Sequence, residues 1–147
     1  MIEAKVEMVG SSMETNTPIV ILKDKKDGGI LPIGIGLIEA YAIHLGLNNK
    51  ETPRPLTHEL LSNILNQCEI RLKKIEIIDI KNQTFYGEIT LEIDDNEKKI
   101  DSRPSDAIAL ALRQNVPIYI EDEVADKSFV YGDPHEYVDS LEFNEIF

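Results

Sequence analysis

The feature that most constrains this fold is a weak internal repeat at a spacing of 67 residues. Sliding the chain against itself by that distance, without a gap, aligns Thr17 with Thr84, Ile33 with Ile100, Glu39 with Asp106, Ala40 with Ala107, Ala42 with Ala109 and Leu45 with Leu112. Both halves then show a hairpin, a strand, an acidic helix start and an Ala-x-Ala helix. Chance is the alternative explanation, because the identity is low. A duplicated β-β-α unit predicts instead two helices packed on one mixed sheet.

The spacing of apolar residues predicts the same class of fold. Strands are indicated where apolar and polar residues alternate or apolar residues run together, and helices where the period is near 3.6. The predicted strands cover 2–9, 17–23, 30–35, 70–80, 84–93, a short stretch ending at 100, and 116–120, while the predicted helices begin near 37, 57 and 104. We therefore expect an α+β fold with a mixed, largely antiparallel sheet and three main helices.

The second predicted helix follows a segment that cannot be helical. Pro53 and Pro55 push the residues before them toward extended geometry, so this helix is expected to begin at Thr57, which is suited to cap it. Its apolar residues fall on one stripe, which consists of Leu60, Leu61, Ile64, Leu65 and Cys68. The place of Cys68 in that stripe predicts a buried, reduced thiol, and a lone cysteine forms no internal disulfide.

Length and hydropathy predict one domain. A chain of 147 residues is long enough to bury one core but short for two, so we expect a domain over 1–130 and an acidic tail over 131–147. The last ten or so residues are expected to be poorly ordered or docked on a partner subunit. No stretch has the roughly 18 consecutive apolar residues of a membrane helix, and the N-terminus lacks the pattern of a signal peptide. These features predict a cytoplasmic protein without a membrane contact.

The net charge limits how the chain can interact with nucleic acid. The formal charge is −12, from 27 acidic and 15 basic residues. Proteins that hold duplex DNA through counterion release usually present a basic surface, so broad electrostatic binding to a polyanion is disfavoured. Three alternatives remain: a small basic pocket, a divalent cation that bridges carboxylate and phosphate, or a partner other than nucleic acid.

Four strings of residues together resemble the bifunctional nuclease family. They are Leu31-Pro32-Ile33-Gly34-Ile35-Gly36 with Glu39-Ala40, Arg54-Pro55-Leu56-Thr57-His58-Glu59-Leu60-Leu61, Thr84-Phe85-Tyr86, and Asp101-Ser102-Arg103-Pro104-Ser105-Asp106-Ala107-Ile108-Ala109-Leu110-Ala111-Leu112-Arg113. Their order and spacing match the family over roughly residues 1–125, and the last string is the most specific. Two features depart from the family: it often has a tryptophan where this chain has Gly34, and the basic helical extension of some members is missing from the acidic tail.

The resemblance implies an α+β fold, association as a homodimer and, for some relatives, hydrolysis of both DNA and RNA. It therefore predicts a nuclease that cleaves phosphodiester bonds. The main alternative is a noncatalytic dimeric module that binds a small anion, a nucleotide or a protein partner, and the acidic charge favours it modestly. A purely structural assembly domain is the third interpretation.

The two Arg-Pro segments contain the residue types that phosphodiester hydrolysis needs. Arg54 and Arg103 could each grip a phosphate through a fork of N–H donors, and His58 could act as acid or base near neutral pH. Asp106 completes the predicted catalytic set, and Thr57, Ser102 and Ser105 join the two arginines as predicted substrate-binding residues. Free N–H groups where helices begin could also receive a phosphate.

Four carboxylates are candidates for binding a divalent metal. Mg²⁺ and Mn²⁺ prefer oxygen ligands, which Asp101, Asp106, Glu39 and Glu59 could supply. The cofactor expected from these residues is therefore Mg²⁺ or Mn²⁺. No nucleophile elbow, Cys-His pair or zinc spacing is present in the sequence, which argues against a covalent intermediate.

Each candidate also has a structural interpretation. Thr57, Ser102 and Ser105 are suited to cap helices, and the acidic residues at positions 39 and 106 favour helix starts. An ion pair between Arg103 and Asp101 could fix the turn from strand to helix. The glycines at 34 and 36 match no phosphate loop, and tight packing or a positive φ would explain them.

Overall fold

The computed structural model describes residues 1–143 and contains one mixed sheet flanked by helices. In chain order its elements are β1 (Ile2–Ser12), β2 (Pro18–Asp24), β3 (Ile30–Gly34), α1 (Leu37–Leu47), α2 (Thr57–Gln67), β4 (Arg71–Lys81), β5 (Thr84–Ile93), β6 (Asn96–Ser102), α3 (Pro104–Gln114), β7 (Ile118–Ile120), α4 (Asp122–Ser128), a short 3₁₀ helix (Pro134–Glu136) and β8 (Val138–Asp139). The expected α+β fold, with three main helices and a mainly antiparallel sheet, is confirmed.

The sheet consists of two antiparallel meanders joined by a short strand. Its order is β3-β2-β1-β7-β4-β5-β6, with β8 paired to β1. Strand β7 runs antiparallel to β1 and parallel to β4, which is what makes the sheet mixed. Each meander leads into a helix of 11 residues, α1 or α3. Each repeated unit therefore has a hairpin and a further strand before its helix, as the aligned halves indicated, rather than the two strands of a β-β-α unit.

The two units place their matched residues in equivalent positions. Glu39 is the third residue of α1 and Asp106 is the third residue of α3, so each carboxylate lies in the first turn of its helix. The alanines that follow, Ala40 and Ala107, are both fully buried. An acidic group in the first turn is stabilised by the unpaired N–H groups and the dipole of the helix.

Helix α3 is the centre of the core. Ala107, Ile108 and Ala109 are fully buried, and Leu110 and Ala111 are nearly so. Small residues let the helix lie close to the sheet, where Ile75 and Ile77 of β4 are also fully buried. The close packing holds the first turn of α3 in a fixed position, and that turn carries several of the predicted site residues.

Helix α2 has the opposite burial pattern to a core helix. Leu60, Leu61 and Ile64 are 53%, 42% and 46% exposed, whereas the polar residues His58 and Ser62 are buried. The prediction of a buried Cys68 is wrong, because its thiol is free and exposed. The physical reason is that α2 packs on α3 through polar pairs, which turns Leu60, Leu61 and Ile64 outward and leaves only Leu65 of the stripe partly buried against the core.

The described part of the C-terminal tail packs on its own domain. Val138 is buried beside Ile21 and Ile30, and Ser12 of β1 pairs with Val138. The ring of Phe143 lies 4.6 Å from that of His44, measured between centroids. The expectation of a loose or partner-docked end is therefore wrong for 138–143, while 144–147 lie outside the described residues. The helices within 1–143 are all too short or too polar to cross a membrane.

Candidate functional site

All four predicted catalytic residues line one hollow. The His58 cleft, as we name it, has a volume of about 670 Å³ and lies where α2 meets the starts of α1 and α3. Its walls include Ile38, Glu39, Tyr41, Ala42, Thr52, Pro53, Arg54, Leu56, Thr57, His58, Glu59, Arg103, Asp106 and Arg113. The two Arg-Pro segments, which lie far apart in the sequence, therefore meet at one cleft.

A chain of hydrogen bonds joins three of these residues. Asp106 Oδ1 lies 2.9 Å from His58 Nε2, and Asp106 Oδ2 accepts from Arg103 Nε at 2.9 Å. Arg103 Nη2 also donates to Asp106 Oδ1 at 3.2 Å. Both carboxylate oxygens are thus engaged, and the proposed ion pair between Arg103 and Asp101 is wrong. Arg103 pairs within the first turn of its own helix, where an acidic partner three residues ahead is within reach.

The hydrogen bond to Asp106 determines the tautomer of His58. Burial alone raises the pKa of Asp106, but the hydrogen bonds and charge interactions with Arg103 and His58 together lower it by more, so its pKa lies below the usual value. The hydrogen bond to Asp106 raises the pKa of the Arg103 guanidinium. Because an ionised carboxylate only accepts, His58 Nε2 must carry the proton. In neutral His58 the lone pair is then on Nδ1, which has no hydrogen-bond partner among the described residues.

A second ion pair, which the sequence did not single out, fixes the floor of the cleft. Arg113 Nη2 binds Glu59 Oε1 and the Ala42 carbonyl oxygen, both at 2.9 Å, and Nη1 binds the Ala109 carbonyl oxygen at 2.8 Å. The Arg113 side chain is only 9% exposed. It therefore connects α1, α2 and α3. The available signal was a charged residue directly after the apolar run 107–112.

Arg54 and Thr57 lie at the mouth of the cleft. Arg54 is exposed, and its guanidinium forms no ion pair with any residue in 1–143. Thr57 is the first residue of α2 rather than its N-cap, and no side chain caps that helix. The capping interpretation of Thr57 is therefore wrong. Both residues remain available to a ligand at the cleft.

A second hollow lies on the other side of Arg103. The Ser105 hollow, as we name it, has a volume of about 460 Å³ and is bounded by the β3–α1 connection, the β4–β5 turn and the start of α3. Its lining consists of Thr17, Ile33, Gly34, Ile35, Gly36, Glu39, Gln83, Thr84, Phe85, Arg103, Pro104 and Ser105. Arg103 and Glu39 line both hollows, so the two are neighbours.

Two predicted site residues line neither hollow. Asp101 is an exposed residue of β6, opposite Glu88 of β5. Ser102 donates from Oγ to the Arg103 carbonyl oxygen at 2.9 Å, and the N-cap of α3 is Arg103, without a side-chain cap. Capping by Ser102 or Ser105 is therefore wrong. The structure brings the remaining predicted site residues to the two hollows.

The carboxylates around the cleft do not form a metal site as they stand. Within 1–143 there is no group of three or more His, Cys, Asp or Glu side chains placed to hold a metal ion. Asp106 is engaged at both oxygens, and Glu59 Oε1 binds Arg113 while its Oε2 is buried with no partner among the residues that the structure describes. A Mg²⁺ ion requires several oxygen ligands in octahedral geometry, so these side chains do not fit a resident Mg²⁺ or Mn²⁺.

The chain is similar to proteins from bacteria and plants. The family model described as the bifunctional nuclease domain matches residues 20–131. An uncharacterized protein of Mycobacterium tuberculosis is 40% identical over 122 residues, which cover 82% of this chain and 73% of that protein. Bifunctional nuclease 1 of Oryza sativa is 29% identical over 111 residues, covering 72% of this chain and 33% of its own length. Bifunctional nuclease 2 of Arabidopsis thaliana is 23% identical over 128 residues, covering 85% and 37%.

Proposed function

The chain belongs to the bifunctional nuclease domain family, and from that premise we propose that it hydrolyses phosphodiester bonds of DNA and RNA in the His58 cleft. The observation that supports this most is the hydrogen-bonded group of Arg103, Asp106 and His58 beside the unpaired Arg54. It combines a base, a group that orients the base and two cations in one hollow. Those are the parts that attack on a phosphodiester requires.

His58 is the proposed general base. Its Nδ1 would take a proton from the attacking water, and the positive charge that forms on the ring would be stabilised by ionised Asp106 at 2.9 Å from Nε2. Asp106 also fixes the tautomer and the direction of the ring. Because Asp106 is itself held by Arg103, the base is fixed in place before substrate binds.

The two arginines are the proposed clamp for the phosphate. Arg54 is free to turn toward a ligand, and its planar fork of donors suits two phosphate oxygens at once. Arg103 is 64% exposed although it binds Asp106, so part of its guanidinium faces the solvent side. Extra negative charge in the transition state would be stabilised most by the arginine that has no carboxylate partner, Arg54.

The lining of the cleft suits an unpaired nucleotide. Ile38, Tyr41 and Leu56 contribute apolar surface beside the charged group, and apolar or aromatic side chains provide stacking or packing surface for a base. A net charge of −12 opposes broad contact with a duplex. We therefore propose single-stranded DNA or RNA as the preferred substrate.

The test is hydrolysis of labelled single-stranded DNA and RNA by purified protein, with Mg²⁺, with Mn²⁺ and with EDTA. We expect cleavage that falls by about 10²–10⁴-fold in His58→Ala. An EDTA-sensitive reaction would mean that the metal arrives with the substrate. Absence of cleavage under every condition would overturn the proposal. The noncatalytic module would then replace it if nucleotides still raise the melting temperature.

We further propose that a second copy of the chain covers the outer face of α2. The exposed Leu60, Leu61 and Ile64 form an apolar surface on a helix whose one acidic residue, Glu59, is paired with Arg113. In a two-fold dimer the same surface of each copy meets its counterpart. Because the chain carries a charge of −12, an uncharged surface is the one on which two copies do not repel each other. Interface centres are typically depleted of charge in this way.

A further inference from the structure

We propose that the Ser105 hollow is a separate anion subsite, which binds a phosphate of the nucleic-acid strand next to the phosphate that is cut. That the ligand is a nucleic-acid strand rests on the proposed function. Free inorganic phosphate would be bound by the same groups, and the experiment below distinguishes it from a phosphate of the strand. The subsite is formed by the first turn of α3 and by open space above Gly34.

The first turn of α3 has unused donors. Pro104 occupies its first position and has no N–H group, and no side chain caps the helix. The first N–H that bonds back is that of Ala107, which donates to the Arg103 carbonyl oxygen at 3.1 Å. The N–H groups of Ser105 and Asp106 therefore have no acceptor among the described residues. Free N–H groups at a helix start are suited to receive a phosphate oxygen.

The Ser105 side chain is an independent indication of a ligand. Ser105 is 5% exposed and lines the hollow, yet its hydroxyl makes no hydrogen bond within 1–143. The Ser105 Oγ is not among the fully buried unpaired atoms of the described residues, so it can be reached from the hollow. An anion in the hollow would supply one, because the hydroxyl can donate to the same ligand as the neighbouring N–H groups.

Gly34 keeps the hollow open. A Cβ at position 34 would meet nothing within 4 Å, and Gly34 is not in the left-handed region. Neither packing nor a positive φ requires this glycine, so the expected explanation is wrong for it. At Gly36 an added Cβ would meet the carboxylate end of the Glu39 side chain, which would have to turn away. The lack of a side chain at Gly34 therefore leaves room for a ligand.

The charge of Glu39 determines whether the hollow favours an anion or a cation. Its carboxylate lies over Gly36 and lines both hollows, so it repels an anion in the Ser105 hollow and would attract a cation there. Arg103 provides the opposing positive charge from the shared wall. Removing the charge of Glu39 should therefore strengthen the binding of an anion and weaken the binding of a metal.

The experiment measures binding by calorimetry in EDTA, with single-stranded oligothymidylate of about four nucleotides and, separately, with inorganic phosphate. We expect Ser105→Ala to weaken oligonucleotide binding about tenfold, since one hydrogen bond to a charged group is lost. Gly34→Trp should weaken it at least as much by filling the hollow. Gly34→Ala is the matched control and should bind like wild type. Glu39→Gln should bind more tightly.

The outcomes separate the subsite from the nuclease activity. If Ser105→Ala and Gly34→Trp are folded by circular dichroism and bind like wild type, the subsite is overturned, whether or not cleavage depends on His58. Weaker binding by Glu39→Gln, or no binding of either probe to wild type, also overturns it. If the variants lose affinity but wild type does not cleave, the subsite stands and the nuclease proposal fails. If the variants bind inorganic phosphate more weakly but bind the oligonucleotide like wild type, the hollow binds a free anion. That result would overturn the proposal that it binds a phosphate of the strand.

Discussion

His58 of α2 and Asp106 of α3 are 48 positions apart in sequence and share a hydrogen bond of 2.9 Å between Nε2 and Oδ1. The contact is one of three polar contacts with α3 that explain why α2 exposes Leu60, Leu61 and Ile64. The others are the ion pair of Glu59 with Arg113 and the bonds of Ser62, whose hydroxyl and carbonyl oxygens accept from Gln114. The polar contacts that build the cleft therefore also orient α2.

Asp106→Asn should reduce the rate of phosphodiester cleavage by about 10²–10⁴-fold while changing KM little. An amide cannot both accept from His58 and stabilise its positive form as a carboxylate does. The measurement is steady-state kinetics on single-stranded substrate. Asp101→Asn is the control, because Asp101 is exposed on β6 and lines neither hollow. Equal losses in both variants would contradict the assigned role of Asp106.

The folded chain should lose stability in acid partly through Asp106. Its pKa is lowered in the folded state, so its contribution is fully present above the unfolded value of about 4 and is lost as the pH falls through the folded pKa. From about pH 5 downward, the free energy of unfolding should fall more steeply for wild type than for Asp106→Asn. Urea denaturation across this range measures both slopes, and parallel slopes would show that Asp106 is not linked to folding.

Leu60→Glu should convert the proposed dimer to a monomer. It places a charge in the centre of the apolar face of α2, where two copies would bring like charges together. Sedimentation equilibrium should show the dissociation constant rising more than tenfold. Met13→Glu is the matched control, since Met13 is 55% exposed in the β1–β2 turn and should leave association unchanged. A wild-type chain that is monomeric at every concentration rules out the second copy.

Thr90→Val should stabilise the fold by about 1 kcal/mol. Thr90 is fully buried on β5, and its hydroxyl has no hydrogen-bond partner within the described chain. Valine has nearly the same shape and removes the unsatisfied group. Thr90→Ala should instead destabilise, because it removes a packed methyl group as well. Chemical denaturation of the three proteins gives the order, and a less stable Thr90→Val would mean that the hydroxyl has a partner, such as buried water.

Sequence reasoning predicted the strands and main helices well because their signals are local. The repeat placed Glu39 and Asp106 in equivalent first turns, and the structure has them there. It did not find that β7 lies between β1 and β4, since a strand of three residues does not encode which distant edges it joins.

The face of α2 was the clearest error, and its cause is physical. A stripe of leucines predicts a helix but does not say which side faces the core, and burial of apolar residues is the usual outcome. Here His58, Glu59 and Ser62 find charged or amide partners on α3. Partners contributed by a helix about 50 residues away cannot be read from a local pattern.

The position of β7 determines the order in which the chain can fold. During synthesis the first meander and the second are both complete before residues 118–120 emerge, yet β1 and β4 can join only through that strand. Until then each half-sheet presents an open edge on which another nascent chain can pair. A chain that ends shortly before Ile118 would therefore contain two half-sheets without the strand that joins them, so the cleft between α2 and α3 would rest on a divided sheet.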